Sequence, residues 1–260
     1  MSELLVKKTE KLLLIANVIN NLKLDDNIYQ ITLNCREVAE NALPGQFISV
    51  LCKDKVLRRP FSIAYTDQDN FEIIYKIKGE GTNYISSLKS GDNLDIIGPL
   101  GNGFNILDKN KKALLVGGGV GVAPLIFLSK ILEEKQISYV LLAGFQKLLN
   151  IQNFPHSKSF IVTEDESSGF AGRINDYLED VINTHKPEKI YACGPKPVLK
   201  FVTEMAIQHD IEIEVALERD FACGIGVCMG CTIQIKKNNK LVNKRICKDG
   251  PVFDGRSIIW

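Results

Sequence analysis

The sequence predicts a multidomain β + α/β protein: an antiparallel β-barrel, then a parallel-sheet α/β domain, then a small cysteine-bearing unit. Three observations predict it. Six short runs rich in Ile, Val, Phe and Tyr, punctuated by Gly, Pro, Asn and Asp, fill the first hundred or so residues. From about residue 111 strand-like and helix-like stretches alternate, the pattern of parallel strands joined by crossover helices. Near the end, three of the seven cysteines fall within nine positions and a fourth follows later. A chain of 260 residues has room for two ordinary domains and an appendix. The changes of texture divide it at 1–104, 105–217 and 218–260.

The barrel strands are read as KLLLIANVIN (11–20), IYQITLNC (28–35), QFISVLC (46–52), RPFSIAY (59–65), FEIIYKI (71–77) and NLDIIGPLG (93–101). The α/β part opens with the buried-type strand KKALLVGGG (111–119) and the helix PLIFLSKILEEK (124–135). Pro124 stands in that helix's first turn, where a missing N–H does no harm. Strands SYVLLAGF (138–145) and SFIVTED (159–165), helix RINDYLEDVIN (173–183), strand KIYACGP (189–195), helix KPVLKFVTEMAIQ (196–208) and the run IEIEVALE (211–218) complete it.

Hydrophobic residues make up 45% and charged residues 24%, the balance of a soluble globular protein, and the net charge of +1 provides no basic field for nucleic acid or a membrane surface. The apolar run LLLIANVI (12–19) is broken by Asn17, is too short to span a bilayer, and lacks a small-residue cleavage site behind it. The expectation is a cytoplasmic protein with no membrane span, in which clustered cysteines bind metal or do redox chemistry rather than form disulfides.

Cys223, Cys228 and Cys231 give C-x4-C-x2-C, and Cys247 follows in KRICKDGPVF. This is the ligand spacing of a plant-type [2Fe–2S] cluster: three thiolates on one loop and a fourth from a distant turn. A loop wrapped round two irons needs φ > 0 at several positions and N–H groups aimed at sulfur, which Gly224, Gly226 and Gly230 permit. The competing readings are a zinc site, which favours paired C-x2-C knuckles, and a disulfide pair. A Rieske centre needs two histidines, and His156, His185 and His209 are scattered far from the segment.

LLVGGGVGVAPL (114–125) places a glycine-rich turn between a strand and a helix, where backbone amides and the helix N-terminus favour a pyrophosphate. It departs from G-x-G-x-x-G, since the sixth position from Gly117 is Val122 and from Gly119 is Pro124. ACGPKPVLKF (192–201) repeats the arrangement of strand end, Gly-Pro turn and helix. Cys193 there reads as a small residue packed at a strand end. In LRRPFSIA (57–64) alternation sets Arg59 and Phe61 on one side, Pro60 and Ser62 on the other. An arginine can grip phosphate with two bonds, and a flat ring can cover an aromatic cofactor. IIYKIKGEGTNYI (73–85) reads as a strand ending in a flexible glycine turn, with Thr82 open to phosphate or ribose.

A barrel with R-P-F-S, a G-G-G-x-G-x-A-P turn, a C-G-P turn and a C-terminal C-x4-C-x2-C…C together resemble the ferredoxin-reductase superfamily. Within it the sequence is most similar to the electron-transfer subunits of NAD-dependent (class 1B) dihydroorotate dehydrogenase. The resemblance spans essentially the whole chain, and ERDFACGIGVCMGC (218–231) is its most specific part. It implies an FAD-binding barrel, a nucleotide-binding α/β domain and a [2Fe–2S] domain. FAD would be held by Arg59, Pro60, Phe61 and Ser62, by Ile74, Tyr75 and Lys76, and by Gly81 and Thr82. NAD(H) would lie over Gly117, Gly118, Gly119, Gly121 and Pro124, with Cys193, Gly194 and Pro195 near the nicotinamide. Cys223, Cys228, Cys231 and Cys247 would ligate the cluster. Phe61 stands where the wider superfamily has tyrosine, which keeps the ring and loses its hydroxyl. The implied partner is an FMN-containing catalytic subunit that oxidises dihydroorotate, in a heterotetramer of two of each.

Selectivity for NADP needs cations, most often arginine, to hold the 2′-phosphate, at a position after the strand that follows the glycine-turn helix. Phe145 and Gln146 occupy it, with only Lys147 as a cation, so NAD(H) is expected. No Ser–His–Asp set, paired carboxylates or metal-hydrolase signature offers another active site. Two alternatives stand beside this reading. One is a related subunit serving sulfite reduction, a hydrogenase or transhydrogenation; the other is a zinc-stapled nucleotide-binding regulator.

Overall fold

A computed structural model describes residues 12–260; residues 1–11, where the expected first domain and its first strand begin, lie outside the described residues. Six antiparallel strands close into a barrel: β1 (Leu12–Asp25), β2 (Ile28–Asn34), β3 (Phe47–Leu51), β4 (Arg59–Asp67), β5 (Asn70–Lys76) and β6 (Asn93–Leu100), in the order β1-β2-β5-β4-β3-β6. All six were expected. The inward residues form one apolar cluster that includes Ile31, Leu33, Ile48, Ile63, Phe71 and Ile73. Closure pairs each strand with two neighbours along part of its length. Two short helices, α1 (Arg36–Asn41) and α2 (Glu80–Ser86), were not read from the sequence.

The second sheet has seven strands in the order β10-β9-β8-β7-β11-β12-β15. They are β7 (Lys112–Gly118), β8 (Ser138–Phe145), β9 (Ser159–Thr163), β10 (Phe170–Ala171), β11 (Lys189–Cys193), β12 (Glu212–Ala216) and β15 (Val252–Asp254). All run parallel except β15, which pairs antiparallel with β12. Along β7, Leu114 and Val116 face α4 (Ile174–His185) and α5 (Lys196–Gln208), whereas Ala113 and Leu115 face α3 (Ala123–Glu134). A strand covered on both faces reads as a continuous apolar run, which is why LLV looked buried in the sequence.

α3 also ties the sheet to the barrel. Its Phe127 enters the barrel cluster, and Lys130 lies 4.6 Å from the centre of the Tyr65 ring. The loop after β8 makes a second clasp. The Gln152 N–H donates to Gln30 Oε1 at 2.9 Å, and Gln30 Nε2 donates to the buried Glu72 carboxylate at 2.7 Å.

After β12 comes the cysteine loop, then the hairpin β13 (Thr232–Lys237) and β14 (Lys240–Arg245), the short helix α6 (Ile246–Asp249) and β15. The tail therefore leaves the large sheet, forms the hairpin and returns to the sheet edge. Nothing in a three-residue strand announces that return.

Candidate functional site

Pairing of β4 with β5 runs from Asp67↔Asn70 to Ile63↔Ile73 and stops. Beyond that point Arg59–Ser62 pair with β3, and Ile74–Lys76 pair with β2. The barrel is thus split between two segments, and these are the two segments singled out in the sequence. Backbone donors and acceptors left without a strand partner must be satisfied by water or a ligand. Arg59 lies at the rim of the split, where its side chain bonds the Leu57 carbonyl and lies against Gly81: a Cβ on that glycine would stand 3.3 Å from Arg59 Nε.

Two details differ from the sequence reading. The expected flexible glycine turn is the first turn of α2, and the Thr82 hydroxyl is engaged within it. It accepts from Lys78 N and Gly79 N at 2.9 and 3.2 Å, and donates to Gly79 O at 2.9 Å. The Phe61 ring, assigned to cover a flat cofactor, is 9% exposed and stands edge-on to Tyr75 with centroids 5.7 Å apart. Tyr75 points inward as well. Burial raises its phenol well above the ordinary value, and its hydroxyl donates to Asn21 Oδ1 at 3.2 Å. The Ile74–Lys76 segment therefore offers its backbone to the split rather than the Tyr75 ring.

The two nucleotide motifs, seventy residues apart in sequence, touch in space. β7 and β11 are neighbours with Gly117 beside Cys193. A Cβ on Gly121 would come within 2.6 Å of Gly194 Cα and 2.8 Å of the Cys193 carbonyl, and one on Gly118 within 3.0 Å of Pro195 Cδ. Pro124 stands in the first turn of α3 as expected. Burial, ahead of the charge on Glu218, pushes the Cys193 thiol up to about 12, which keeps it in the thiol form at neutral pH. A cleft of about 620 Å³ opens where the three parts of the chain meet, lined by Lys78, Gly194, Pro195, Glu218, Arg219 and Trp260 among others. Lys78 and Glu218 pair across it at 3.4 Å.

The cysteine loop follows directly. Gly224 and Gly226 take φ of +66° and +86°, the conformations their lack of a side chain allows. N–H groups point at sulfur. Cys223 Sγ accepts from Val227 and Cys228, Cys228 Sγ from Gly230, and Cys231 Sγ from Cys247, each at 3.4 Å. Burial alone would raise the Cys223 thiol, but the N–H groups of Cys228, Ile225 and Val227 outweigh it and bring it down to about 6. Cys247 is buried on α6 with its Sγ 3.3 Å from that of Cys231, and burial together with that neighbour pushes it up to about 12.

The sulfurs thus form two pairs, Cys223 with Cys228 and Cys231 with Cys247. Among the described residues no three His, Cys, Asp or Glu side chains gather round a single ion position. Two pairs fit a two-iron cluster, which takes two protein ligands on each iron. Cys35, Cys52 and Cys193 lie apart from the group. The loop rests on the barrel: a Cβ on Gly224 would meet Ser49 Oγ at 3.2 Å, and Phe221 packs on Phe47 at 5.3 Å. Ser49 is the β3 partner of Pro60 in β4. The cysteine loop therefore touches β3, the strand that pairs with the R-P-F-S segment of β4.

A split barrel, a glycine-turn nucleotide sheet and a four-thiol loop packed on the barrel define a flavoprotein oxidoreductase of the ferredoxin-reductase fold with an iron–sulfur domain. Comparison with known proteins agrees. Residues 15–104 match the oxidoreductase FAD-binding domain, and residues 218–259 match the iron–sulfur cluster binding domain of dihydroorotate dehydrogenase B. The chain is 35% identical to the dihydroorotate dehydrogenase B (NAD(+)) electron transfer subunit of Caldanaerobacter subterraneus subsp. tengcongensis, over 94% of this chain and 98% of that one. It is likewise 35% identical to that of Geobacillus kaustophilus, over 90% and 93%. This chain belongs to the family of dihydroorotate dehydrogenase B electron transfer subunits.

Among solved structures, that of an NADH-dependent reduced ferredoxin–NADP oxidoreductase superposes with a TM-score of 0.84 at 28% identity, covering 94% of this chain and 90% of that one. A ferredoxin reductase of carbazole 1,9a-dioxygenase shares the fold, with a TM-score of 0.66 at 20% identity over 77% and 67%. No helix among the described residues is long and apolar enough to cross a membrane.

Proposed function

We propose that this chain conducts electrons from an FMN-bearing catalytic subunit, which oxidises dihydroorotate to orotate in pyrimidine synthesis, by way of a [2Fe–2S] cluster and FAD to NAD+. It would act in the cytoplasm, as part of a heterotetramer with two of each subunit. The observation that carries the reading is adjacency: the cysteine loop packs on β3 beside the R-P-F-S segment, the two nucleotide turns touch at Gly121 and Gly194, and one cleft is lined from all three parts of the chain. A bound flavin supplies the exchange between the two-electron chemistry of nicotinamide and the one-electron chemistry of an iron–sulfur cluster.

The protein's own residues do the holding. Arg59 would pair with the pyrophosphate of FAD, and the unpaired edges of residues 59–62 and 74–76 would give its ring system backbone partners, with Gly81 and Thr82 closing the turn. Gly117, Gly118, Gly119, Gly121 and Pro124 would cradle NAD(H), with Cys193, Gly194 and Pro195 beneath the nicotinamide. Cys223 and Cys228 would take one iron, Cys231 and Cys247 the other. These roles divide the chain into domains 1–104, 105–217 and 218–260, the last lending β15 to the sheet of the second.

The test is spectroscopic and analytical. The purified chain is expected to show oxidised flavin and [2Fe–2S] absorption, with FAD, iron and sulfide in the ratio 1:2:2 by the stoichiometry of one flavin and one such cluster. A colourless protein containing zinc would overturn the reading. The likeness to the NADH-dependent reduced ferredoxin–NADP oxidoreductase favours a second reading, in which the same wiring serves another reductase. Isolation of the native complex separates the two, because the partner carries FMN in one case and not in the other.

A further inference from the structure

The rim of the parallel sheet above the end of β8 carries charges that are distant in sequence. β8 ends at Phe145 in register with Thr163 of β9. The N–H of Glu164 donates to Phe145 O and that of Asp165 to Gln146 O, both at 3.1 Å, and the N–H of Leu148 donates to Ser167 Oγ at 3.0 Å. The loops after β8 and β9 are thereby laced into one edge. α4 starts beside it: a Cβ on Gly144 would lie 2.7 Å from Ile174 Cγ1, and one on Gly118 would lie 3.9 Å from Ile174 Cδ1. Arg173, which precedes Ile174, is thus brought to the same rim, next to the glycine turn. Its guanidinium lies side-on to Glu164, with Nε 3.3 Å from Oε1 and Nη2 3.4 Å from Oε2. Lys147, the one cation expected at this position, faces Asp165. That carboxyl is held below its ordinary range first by bonds from Ser167 and then, among smaller causes, by the Lys147 charge.

We infer that Glu164 sets the choice of nucleotide by occupying Arg173. Arg173 has the fork that matches phosphate oxygens, and in this structure a carboxylate of the same chain already holds it. Glu164 and Asp165 offset Arg173 and Lys147, so an incoming 2′-phosphate meets no net positive charge and must compete for the guanidinium. A free ribose 2′-hydroxyl, in contrast, meets acceptors to which it can donate. The pair is exposed and contributes little to the fold, so its effect is on competition and its removal leaves the framework intact. This inference rests on the reading of residues 117–124 as the nicotinamide-nucleotide site.

The test uses the full chain with its FAD, measuring kcat/KM for NADH and NADPH with ferricyanide as acceptor. Binding of 2′-phospho-AMP and of AMP, followed by calorimetry, gives a readout independent of turnover. Glu164→Gln is expected to raise the NADPH-to-NADH ratio roughly three- to tenfold, the range for an exposed charge at contact distance, and to tighten 2′-phospho-AMP in step. Adding Arg173→Ala should abolish that gain, and Asp165→Asn alone, which leaves Arg173 paired, should give a smaller one. An unchanged ratio in Glu164→Gln, a gain that survives Arg173→Ala, or an equal gain from Asp165→Asn would each overturn the inference. A chain that oxidises neither nucleotide overturns instead the nucleotide-site reading beneath it.

Discussion

Substituting Gly121 by alanine tests how the two nucleotide motifs cooperate. The new methyl would sit 2.6 Å from Gly194 Cα, 2.8 Å from Gly194 N and 2.8 Å from the Cys193 carbonyl, all of them backbone atoms. Ordinary contact begins at 3.4 Å, so the two turns must separate by most of an ångström or the sheet must deform. Overpacking of this kind costs about 1–3 kcal/mol. A displacement near 1 Å at a reacting centre costs on the order of a hundredfold in rate. The expected outcome is a fall of roughly ten- to a hundredfold in kcat/KM for NADH, measured with ferricyanide, while FAD content is retained because the barrel split is untouched. Gly91→Ala is the control: Gly91 has φ +93° and nothing within 4 Å of an added Cβ, so it loses stability through backbone strain alone and keeps its nucleotide kinetics. Unchanged NADH kinetics in Gly121→Ala would refute the contact between the turns as the determinant of nucleotide placement.

Arg59→Ala is expected to weaken FAD retention about ten- to a hundredfold, since a charge-assisted bond contributes roughly 1.5–3 kcal/mol; the flavin dissociation constant is the measurement. Serine in place of Cys223, Cys228, Cys231 or Cys247 should lower iron and sulfide content with FAD retained, whereas Cys35→Ser and Cys52→Ser should keep the cluster; a full complement in Cys247→Ser would remove that residue from the ligand set. Burial, ahead of the Lys112 charge, holds the His185 imidazole below its ordinary 6.5 despite its bond to the Ala113 carbonyl. The unfolded chain therefore takes up that proton first as pH falls, and stability present above pH 6.5 declines below it. His185→Gln should flatten this part of the stability–pH curve measured by urea unfolding.

The barrel was legible because its six strands alternate short apolar runs with Gly, Pro, Asn and Asp, a local signal. The α/β order was legible for the same reason, in the change of period between LLV and PLIFLSKILEEK. α2 was missed because Gly79 and Gly81 carry a turn signal, whereas the Thr82 hydroxyl caps a helix there. β15 was missed because its three residues have no period and its partner, β12, lies some forty residues away. The same contrast holds at the site. Ligand spacing exposed the four cysteines, since the loop that carries three of them is local. The inward turn of Phe61, the split between β4 and β5, and the Glu164–Arg173 pair depend on which chain segments meet, and no short motif encodes that. Alternation placed Arg59 and Phe61 on one side of β4, but it could not say that this side leads into the barrel core at Phe61 and to the rim at Arg59.

Delivery of electrons from dihydroorotate oxidation to NAD+ by this chain can be measured in the assembled enzyme. The most direct measurement is NADH formation at 340 nm by the native complex, supplied with dihydroorotate and NAD+, with and without this subunit. NADH production is expected to require this chain and to disappear when its cysteine loop is disabled by Cys223→Ser. Dihydroorotate-dependent NADH formation of equal rate without the chain, or none in the intact, cofactor-replete complex, would contradict it.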